Sequence, residues 1–583
     1  MAKFEHITLK INNGEILNFE QLRLKQQNIL KSGNIIYIYR SSVNKKVYIG
    51  QTKHFITRHK QHYSGKEEKF NSANFDKVKV IISRYFHGSA LDDVENQLIT
   101  YFIADNSKVK SENVLFDNDE ILNGNSGNYV NDYTERERVS AEVILPFWEN
   151  VLFSEGWVNT PRLDKLRASA LVKYSPIKQL TEEQDRLIEE ILDNPHKNYV
   201  INGDAGAGKT VLLTHLVSRY LMESQKKKIA VIVQPNWEKT AMDIFKVFGI
   251  HSSNLKISTS TKFITQGEKY DIIIVDESHK LSRKGSKQHP SFDKIYKSEQ
   301  FSDCVNHLEP IKRLGNQIIL MYDVLQAIRP ANIPREKFQE LTSSFEKRYL
   351  TTQFRIQASR GKKYTSDDYV NGIKYLLYKD TGLLKYTNFD ENFDRSLFRE
   401  DDIDAYFGYF EDKPLKNMIN WLEEDKNYNS GHINRVLSGL VEDWKQADGK
   451  DDSIHHFFED DISRRWNSTQ ENWINSSEKD AEEQIGSVFA VQGIDLNKVG
   501  VLIGKDLLVD EEGRLYGEPS NFKNINGKHT KEELEIPEIR EEFTMFVLNI
   551  YYILLTRGID GVRIGFWDNE EFKKYFKKTF DII

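Results

Sequence analysis

Apolar and polar positions along the chain follow two different rhythms. From residue 33 onward the apolar positions come as short β-rich runs, Ile35-Ile36-Tyr37-Ile38-Tyr39 and Lys46-Val47-Tyr48-Ile49-Gly50, separated by a polar break at 41–45. Two such runs across a short polar break predict a β-hairpin over 33–50. A helix is predicted over 55–65, with Arg58 and His62 four residues apart on one face. Residues 78–83 read as a further strand, and 91–99 as an amphipathic helix that carries Glu95. A Gly/Asn cluster at 123–128 closes this region. A charged stretch at 131–138 then leads into a helical pattern over 139–178, to which no chemistry is assigned.

From residue 179 the rhythm changes. Short apolar runs at 199–201, 229–233, 271–275 and 318–322 alternate with helical stretches, and each ends near polar or Gly-rich residues. That is the sequence form of a parallel sheet covered by helices on both faces. A second, less regular unit shows strand-like runs at 488–490, 500–503 and 562–566. Between them, 361–479 is charged, rich in Asp and without an assignable pattern. The expected class is α/β. The expected division is 1–130, a helical connector at 131–178, 179–355, and 356–583 with 361–479 as a charged insertion. No internal repeat or low-complexity tract is visible.

Composition narrows the field only slightly. At 583 residues, three or four compact units are expected. Hydrophobic residues at 39% and charged residues at 29% fit soluble globular domains. There is no long apolar run and no apolar signal-peptide core, and a lone cysteine, Cys304, excludes a disulfide framework. These features lead us to expect a cytoplasmic protein. A net charge of −7 gives no overall basic footprint, but local basic patches lie at 53–69 and 283–297.

The strongest chemical signal is Gly203-Asp204-Ala205-Gly206-Ala207-Gly208-Lys209-Thr210, set between an apolar strand and a helix. Gly203, Gly206 and Gly208 let backbone N–H groups close around phosphates, Lys209 reaches the β- and γ-phosphates, and the Thr210 hydroxyl suits Mg²⁺. About 70 residues on, an apolar run ends in Asp276-Glu277. Asp276 suits the Mg²⁺ shell, and Glu277 can polarise an attacking water. ATP and Mg²⁺ are the implied cofactors.

With these motifs the chain resembles a superfamily 1 helicase-type ATPase of the Schlafen-like branch, from about residue 179 to the C-terminus. Leu180-Thr181-Glu182-Glu183-Gln184 resembles the adenine-reading motif, with Gln184 as the implied base contact. Residues 321–326 resemble the third helicase motif, with Gln326 as the implied γ-phosphate sensor. Gln353-Phe354-Arg355, then Val491-Gln492-Gly493-Ile494-Asp495, then Leu554-Leu555-Thr556-Arg557-Gly558 resemble the fourth, fifth and sixth. The resemblance implies that Gln492 and Gly493 belong to the nucleotide site. It also implies that Arg355 and Arg557 reach the γ-phosphate. Ile494 stands where the family usually has an acidic residue.

Residues 33 to about 128 resemble the GIY-YIG endonucleases. Tyr37 and Tyr48 match the two motif tyrosines, eleven residues apart, and are followed by Arg58, His62 and Glu95. Asn123 matches the closing asparagine, while the first motif reads Ile-Ile-Tyr and lacks its glycine. Glu95 would bind one Mg²⁺, Arg58 would neutralise the pentavalent phosphate, and Tyr37, Tyr48 or His62 would orient or deprotonate water. A small α/β nuclease domain followed by two RecA-like domains is therefore expected. The expected function is NTP-regulated cleavage of nucleic acid, DNA before RNA, in defence against foreign DNA such as phage. Incision in DNA repair and an ATP-dependent binding switch with an inactive nuclease fold remain open.

Overall fold

The computed structural model describes residues 3–582 except 65–67, 109–134, 168, 170–171, 173, 177–179, 205, 224–225, 249, 251, 286–293, 329–330, 352–355, 357, 359–361, 401, 403–404, 430–431, 446, 470–472, 477, 492–493 and 524–528. Asn123, Arg355, Gln492 and Gly493 thus lie outside the described residues. The chain forms two compact units: 1–194 with 210–227 and 237–255, and 195–209 with 228–236 and 256–583.

The predicted hairpin is present as Ile35–Ser41 and Lys46–Thr52, with Tyr37 opposite Gly50. A Cβ placed on Gly50 would lie 2.4 Å from the Tyr37 ring, so only glycine lets that ring lie flat across the neighbouring strand. The sheet is antiparallel, in the order Glu15–Ile16, Phe4–Asn12, Lys77–Ser83, Ile35–Ser41, Lys46–Thr52. The strand Phe4–Asn12 has no counterpart in the sequence reading, although Ile7, Leu9 and Ile11 alternate inward. The predicted helix ends early, as Phe55–His62, and buries Phe55, His59 and His62. The next predicted helix runs longer, as Gly88–Lys108, with Leu91, Val94 and Leu98 buried.

The stretch read as one helix over 139–178 is interrupted. Helical turns run to Phe153, including two π-type segments, Ser140–Ile144 and Trp148–Phe153, and helix resumes at Leu163–Arg167. This segment packs onto the N-terminal sheet and its long helix. Trp148 meets Tyr101 and Phe102 at 6.0 and 5.4 Å, and the Asp105 carboxylate accepts from the Asn159 and Thr160 amides, both at 2.8 Å. The buried Lys79 on the sheet finds its countercharge at Glu155, 2.8 Å away. A buried ammonium needs such a partner.

The second sheet has six strands, in the order Glu346–Leu350, Tyr199–Gly203, Gly315–Tyr322, Tyr270–Val275, Ile229–Ile232, Leu255–Ser258. The first five pair in parallel. The third sheet is parallel throughout, in the order Phe407–Phe410, Gly558–Phe566, Leu496–Ile503, Arg435–Ser438. Two of its four strands come from 361–479, the stretch whose pattern could not be read. Its main cover is the helix Pro537–Leu555, buried continuously from Phe546 to Leu555. Residues 488–490, read as a strand, lie in the short helix Val488–Val491. A short apolar run does not separate buried helix from buried strand.

Candidate active sites

The N-terminal sheet builds an aromatic and imidazole cluster. Tyr37 and Tyr48 sit on adjacent strands, with ring centroids 6.3 Å apart. His62, at the end of Phe55–His62, turns inward to place Nε2 2.9 Å from the Tyr37 hydroxyl. Phe70 stacks on the His62 ring at 3.9 Å and 9°, which fixes its plane. A second Tyr–His pair lies beside the first, with Tyr39 Oη 2.6 Å from His59 Nδ1 and His59 Nε2 2.9 Å from the Gly14 carbonyl. Since a carbonyl only accepts, His59 carries its proton on Nε2 and accepts from Tyr39. Burial holds His59 below the ordinary imidazole range, so this pair is a neutral brace. The sequence places His59 in the basic patch at 53–69; burial takes it out of that patch, and its spacing of four from Phe55 is the signal for it.

Arg58 lies half-buried at the rim, where it hydrogen-bonds Tyr37 and donates to Gln61 Oε1 at 3.4 Å. Burial pushes the Tyr37 phenol well above the ordinary range, the neighbouring Tyr48 adds to this, and Arg58 opposes it. The inward helix face presents Glu95, whose carboxyl is pushed up to about 7 by burial first and by Asp92 second, against the pull of Arg58. Asp92 in turn accepts from the Gln51 side chain. Tyr37, Tyr48, Arg58 and His62 are therefore together, with Glu95 within their electrostatic reach. Among the described residues no group of three or more His, Cys, Asp or Glu could hold a metal. Mg²⁺ asks for less: one or two carboxylates, with water and substrate phosphate completing its shell. A half-buried carboxylate whose charge is disfavoured by burial and by Asp92 fits that demand.

The second candidate site forms at the C-terminal ends of the parallel strands. Tyr199–Gly203 runs into a loop where Gly206 and Gly208 have φ of 90° and 80°, a conformation that glycine supplies without strain. Lys209 and Thr210 open the helix Lys209–Glu223. The Lys209 ammonium is 8% exposed and donates to the Gly203 and Asp204 carbonyls at 2.5 and 3.1 Å, with Asp323 at 3.4 Å. Asp323 also accepts from Gln326 at 2.6 Å and caps the turn Val324–Gln326 through the Leu325 amide. Asp323 links the lysine to the predicted sensor, a role the sequence reading did not give it. An Asp just before a short turn was the signal.

Asp276 and Glu277 follow the strand Tyr270–Val275. Burial and the charge on Glu277 push the Asp276 carboxyl up to about 7. Lys280 and His279 outweigh burial and hold Glu277 well below the carboxylate range, with His279 Nε2 2.9 Å from Glu277 Oε2. Glu277 has φ of 50°, a left-handed backbone uncommon outside glycine. A buried carboxylate ready to ionise next to a charged one suits Mg²⁺ and a polarised water, so the donor set fits the predicted cofactors.

Two predicted residues have other engagements. Gln184 Oε1 accepts from the Thr181 amide at 3.1 Å, closing a capping box at the start of Glu182–Asp193. Arg557 is 1% exposed and donates to the Ile494 carbonyl at 3.4 Å.

The chain matches the family described as Schlafen group 3, DNA/RNA helicase domain, over residues 196–568, and the GIY-YIG catalytic domain over 33–106. It is 25% identical over 446 residues to an uncharacterized protein of Saccharomyces cerevisiae, covering 67% of this chain and 89% of that protein. It is 26% identical over 268 residues to an uncharacterized ATP-binding protein of Methanocaldococcus jannaschii, covering 40% of this chain and 66% of the relative's length. Among solved structures it is similar to the Pif1 helicase from Candida albicans, at 10% identity and a TM-score of 0.27, over 69% of this chain and 99% of that one. A likeness of that size adds no weight to fold or function.

Proposed function

Because the chain belongs to the Schlafen group 3 DNA/RNA helicase family and carries a GIY-YIG catalytic domain, we propose that it is an NTP-regulated endonuclease. In this reading, Mg²⁺-dependent cleavage of nucleic acid, DNA in preference to RNA, is governed by ATP binding and hydrolysis. Defence of a cell against foreign DNA is the role that suits this pairing of domains. We propose a cytoplasmic setting from the lone cysteine; no helix among the described residues is long and apolar enough to cross a membrane.

The observation that carries the nuclease reading is the Tyr37–His62 contact at 2.9 Å, with Arg58 bonded to the same phenol. A buried phenol pushed upward is a poor base, and an imidazole beside it is a better proton acceptor. His62 therefore accepts the Tyr37 hydroxyl proton as Tyr37 takes one from the attacking water, which leaves hydroxide to attack the phosphorus. Arg58 offers charge to the phosphoryl oxygens as the pentavalent state forms. Glu95 would hold Mg²⁺, which when bound supplies a Lewis acid to stabilise the leaving oxygen.

At the second site, Lys209 exchanges its carbonyl contacts for the β- and γ-phosphates. Thr210 and Asp276 would hold Mg²⁺, Glu277 polarises water, and Gln326 reports the γ-phosphate through Asp323. Arg557 and Arg355 complete the charge balance when nucleotide is present, and Gln492 and Gly493 contribute to the same site. Gln184 reads the base.

The test is cleavage of plasmid, linear duplex, single-stranded DNA and RNA with Mg²⁺, under no nucleotide, ATP and ADP. The reading requires metal-dependent cutting whose rate changes with nucleotide. Identical rates in all three states at saturating DNA would leave two uncoupled enzymes on one chain.

A further inference from the structure

Lys374 is fully buried, yet nothing in the chemistry above uses it. It lies within the helix Ser366–Tyr378, in the part of the chain whose pattern was unreadable. Its ammonium donates to Asp204 Oδ2 at 2.6 Å and to the Asn388 carbonyl at 2.8 Å. Asp204 is the second residue of the phosphate loop.

The helix that carries Lys374 is fastened to the core around the third sheet. Tyr369 donates to the Leu555 carbonyl at 2.7 Å, Tyr378 to Asn549 at 2.7 Å, and Tyr575 to the Leu376 carbonyl at 2.8 Å. Tyr369, Ile373, Leu376 and Leu377 share that core with Leu554 and Val562. Asp204, by contrast, follows directly from the strand Tyr199–Gly203 of the second sheet. The Lys374–Asp204 pair therefore spans the two parallel sheets and ends on the loop itself. The neighbourhood is electrostatically shared: the Asp367 carboxyl is pushed up by burial and by Asp204, and Lys374 opposes this.

Two consequences follow from charge alone. An unneutralised carboxylate on the phosphate loop would repel a polyphosphate, and at close range in a partly dry site that repulsion is strong. A buried lysine without its partner would be equally unfavourable. Lys209 already donates to the Gly203 and Asp204 carbonyls, so Asp204 is held from two elements, by Lys209 at its backbone oxygen and by Lys374 at its carboxylate.

We propose that Lys374 is a positioning residue for nucleotide binding: it neutralises and holds Asp204, and so ties the shape of the phosphate loop to the third sheet. The inference rests on the ATPase reading above and extends it to a residue outside every motif. Because the pair joins two sheets, a change in how the loop holds phosphate is felt by the helix Ser366–Tyr378.

The test is a double-mutant cycle on the full chain, with steady-state ATP hydrolysis and binding of a fluorescent ATP analogue as readouts. Lys374→Met is expected to raise KM for ATP and the analogue's Kd about tenfold or more while kcat changes much less, because a ground-state contact is lost rather than the hydrolytic carboxylate. Asp204→Asn removes the charge that Lys374 serves. The double variant Asp204→Asn/Lys374→Met should return KM to within about threefold of Asp204→Asn alone, since coupled residues are not additive. Thermal unfolding of each variant shows whether the fold persists, and rescue in the double variant excludes simple misfolding. If Lys374→Met folds and keeps the parental KM, or if Asp204→Asn fails to rescue it, the inference is wrong. A parent protein that binds no nucleotide would remove the ATPase reading and this inference together.

Discussion

The N-terminal sheet and the six-stranded parallel sheet each present groups suited to phosphate, yet they do so in opposite ways. In the first, the groups are strand residues and their direct neighbours, mostly neutral, locked by ring packing: Tyr37, Tyr48 and His62 are held by Phe70 and by one another. In the second, the groups are charged, stand at strand ends and loops, and contact each other: Lys209 with Asp323, Asp204 with Lys374, Glu277 with His279. The first is built to have one shape. The second holds a set of ion contacts that a nucleotide must exchange. A cutter gains from preorganised geometry, and a nucleotide-driven element gains from contacts with two possible partners.

If that contrast is right, it breaks most visibly at single charges. Lys209→Ala should lower ATP hydrolysis at least 100-fold and remove the response of cleavage to ATP while keeping the parent's nucleotide-free cleavage rate, measured by phosphate release and plasmid nicking on the same preparation. Arg58→Ala should do the reverse, costing about 3 kcal/mol or more of transition-state stabilisation in cleavage and sparing ATP hydrolysis. A nucleotide-free cleavage rate below the parent's in Lys209→Ala, or lost ATP hydrolysis in Arg58→Ala, would contradict the separation.

A smaller but sharper effect is expected for shape. Gly50→Ala pushes a methyl into the Tyr37 ring, and overpacking of this kind costs roughly 1–3 kcal/mol. Calorimetry should show a lower first transition, with cleavage falling as well. Gly203→Ala meets its neighbours at 3.1–3.2 Å rather than 2.4 Å and should be milder.

Acidity supplies the next comparison. The Glu95 carboxyl is raised to about 7 from an ordinary value near 4.5, so its neutral form is the one the fold favours. Its contribution to stability is full below pH 4.5 and is lost as pH rises through 7. Glu95→Gln should thus match the parent near pH 4 and exceed it by about 2 kcal/mol above pH 7, measured by denaturant unfolding without metal. Adding Mg²⁺ should narrow the gap from the parent's side. A gap that grows toward low pH would contradict the burial argument.

The smallest expected change concerns Gln184. A capping box accepts Glu as readily as Gln, but Gln184 is buried, so Gln184→Glu keeps the cap and should cost about 1 kcal/mol through the buried carboxylate. If Gln184 also reads adenine, the preference for ATP over GTP should weaken in that variant. An unchanged preference would leave Gln184 as a cap alone.

The sequence disclosed the elements wherever local pattern and local chemistry agreed. The hairpin, the phosphate loop and the strand before Asp276 were legible because each ends in residues with a definite task. The third sheet was half illegible for a physical reason. Phe407–Phe410 and Arg435–Ser438 are four-residue strands set in strongly charged surroundings, too short to show a period. The same holds for site residues. Tyr37 and Lys209 carry motifs, whereas Lys374, Asp323 and His59 act through partners 170, 114 and 20 residues away. No window along the chain contains both ends of such a contact.

The strand Phe4–Asn12 has a practical consequence for anyone dissecting this chain. It pairs along seven residues with Lys77–Ser83, whose other side is taken by Ile35–Ser41. The recognised catalytic domain begins at residue 33. A fragment cut there would strip one flank of Lys77–Ser83 and leave a row of unpaired amides and carbonyls beside Val78 and Val80. Such an edge invites pairing with another copy, and the fragment would be prone to aggregate for reasons unrelated to catalysis. A fragment that starts at or before Phe4 keeps that flank paired.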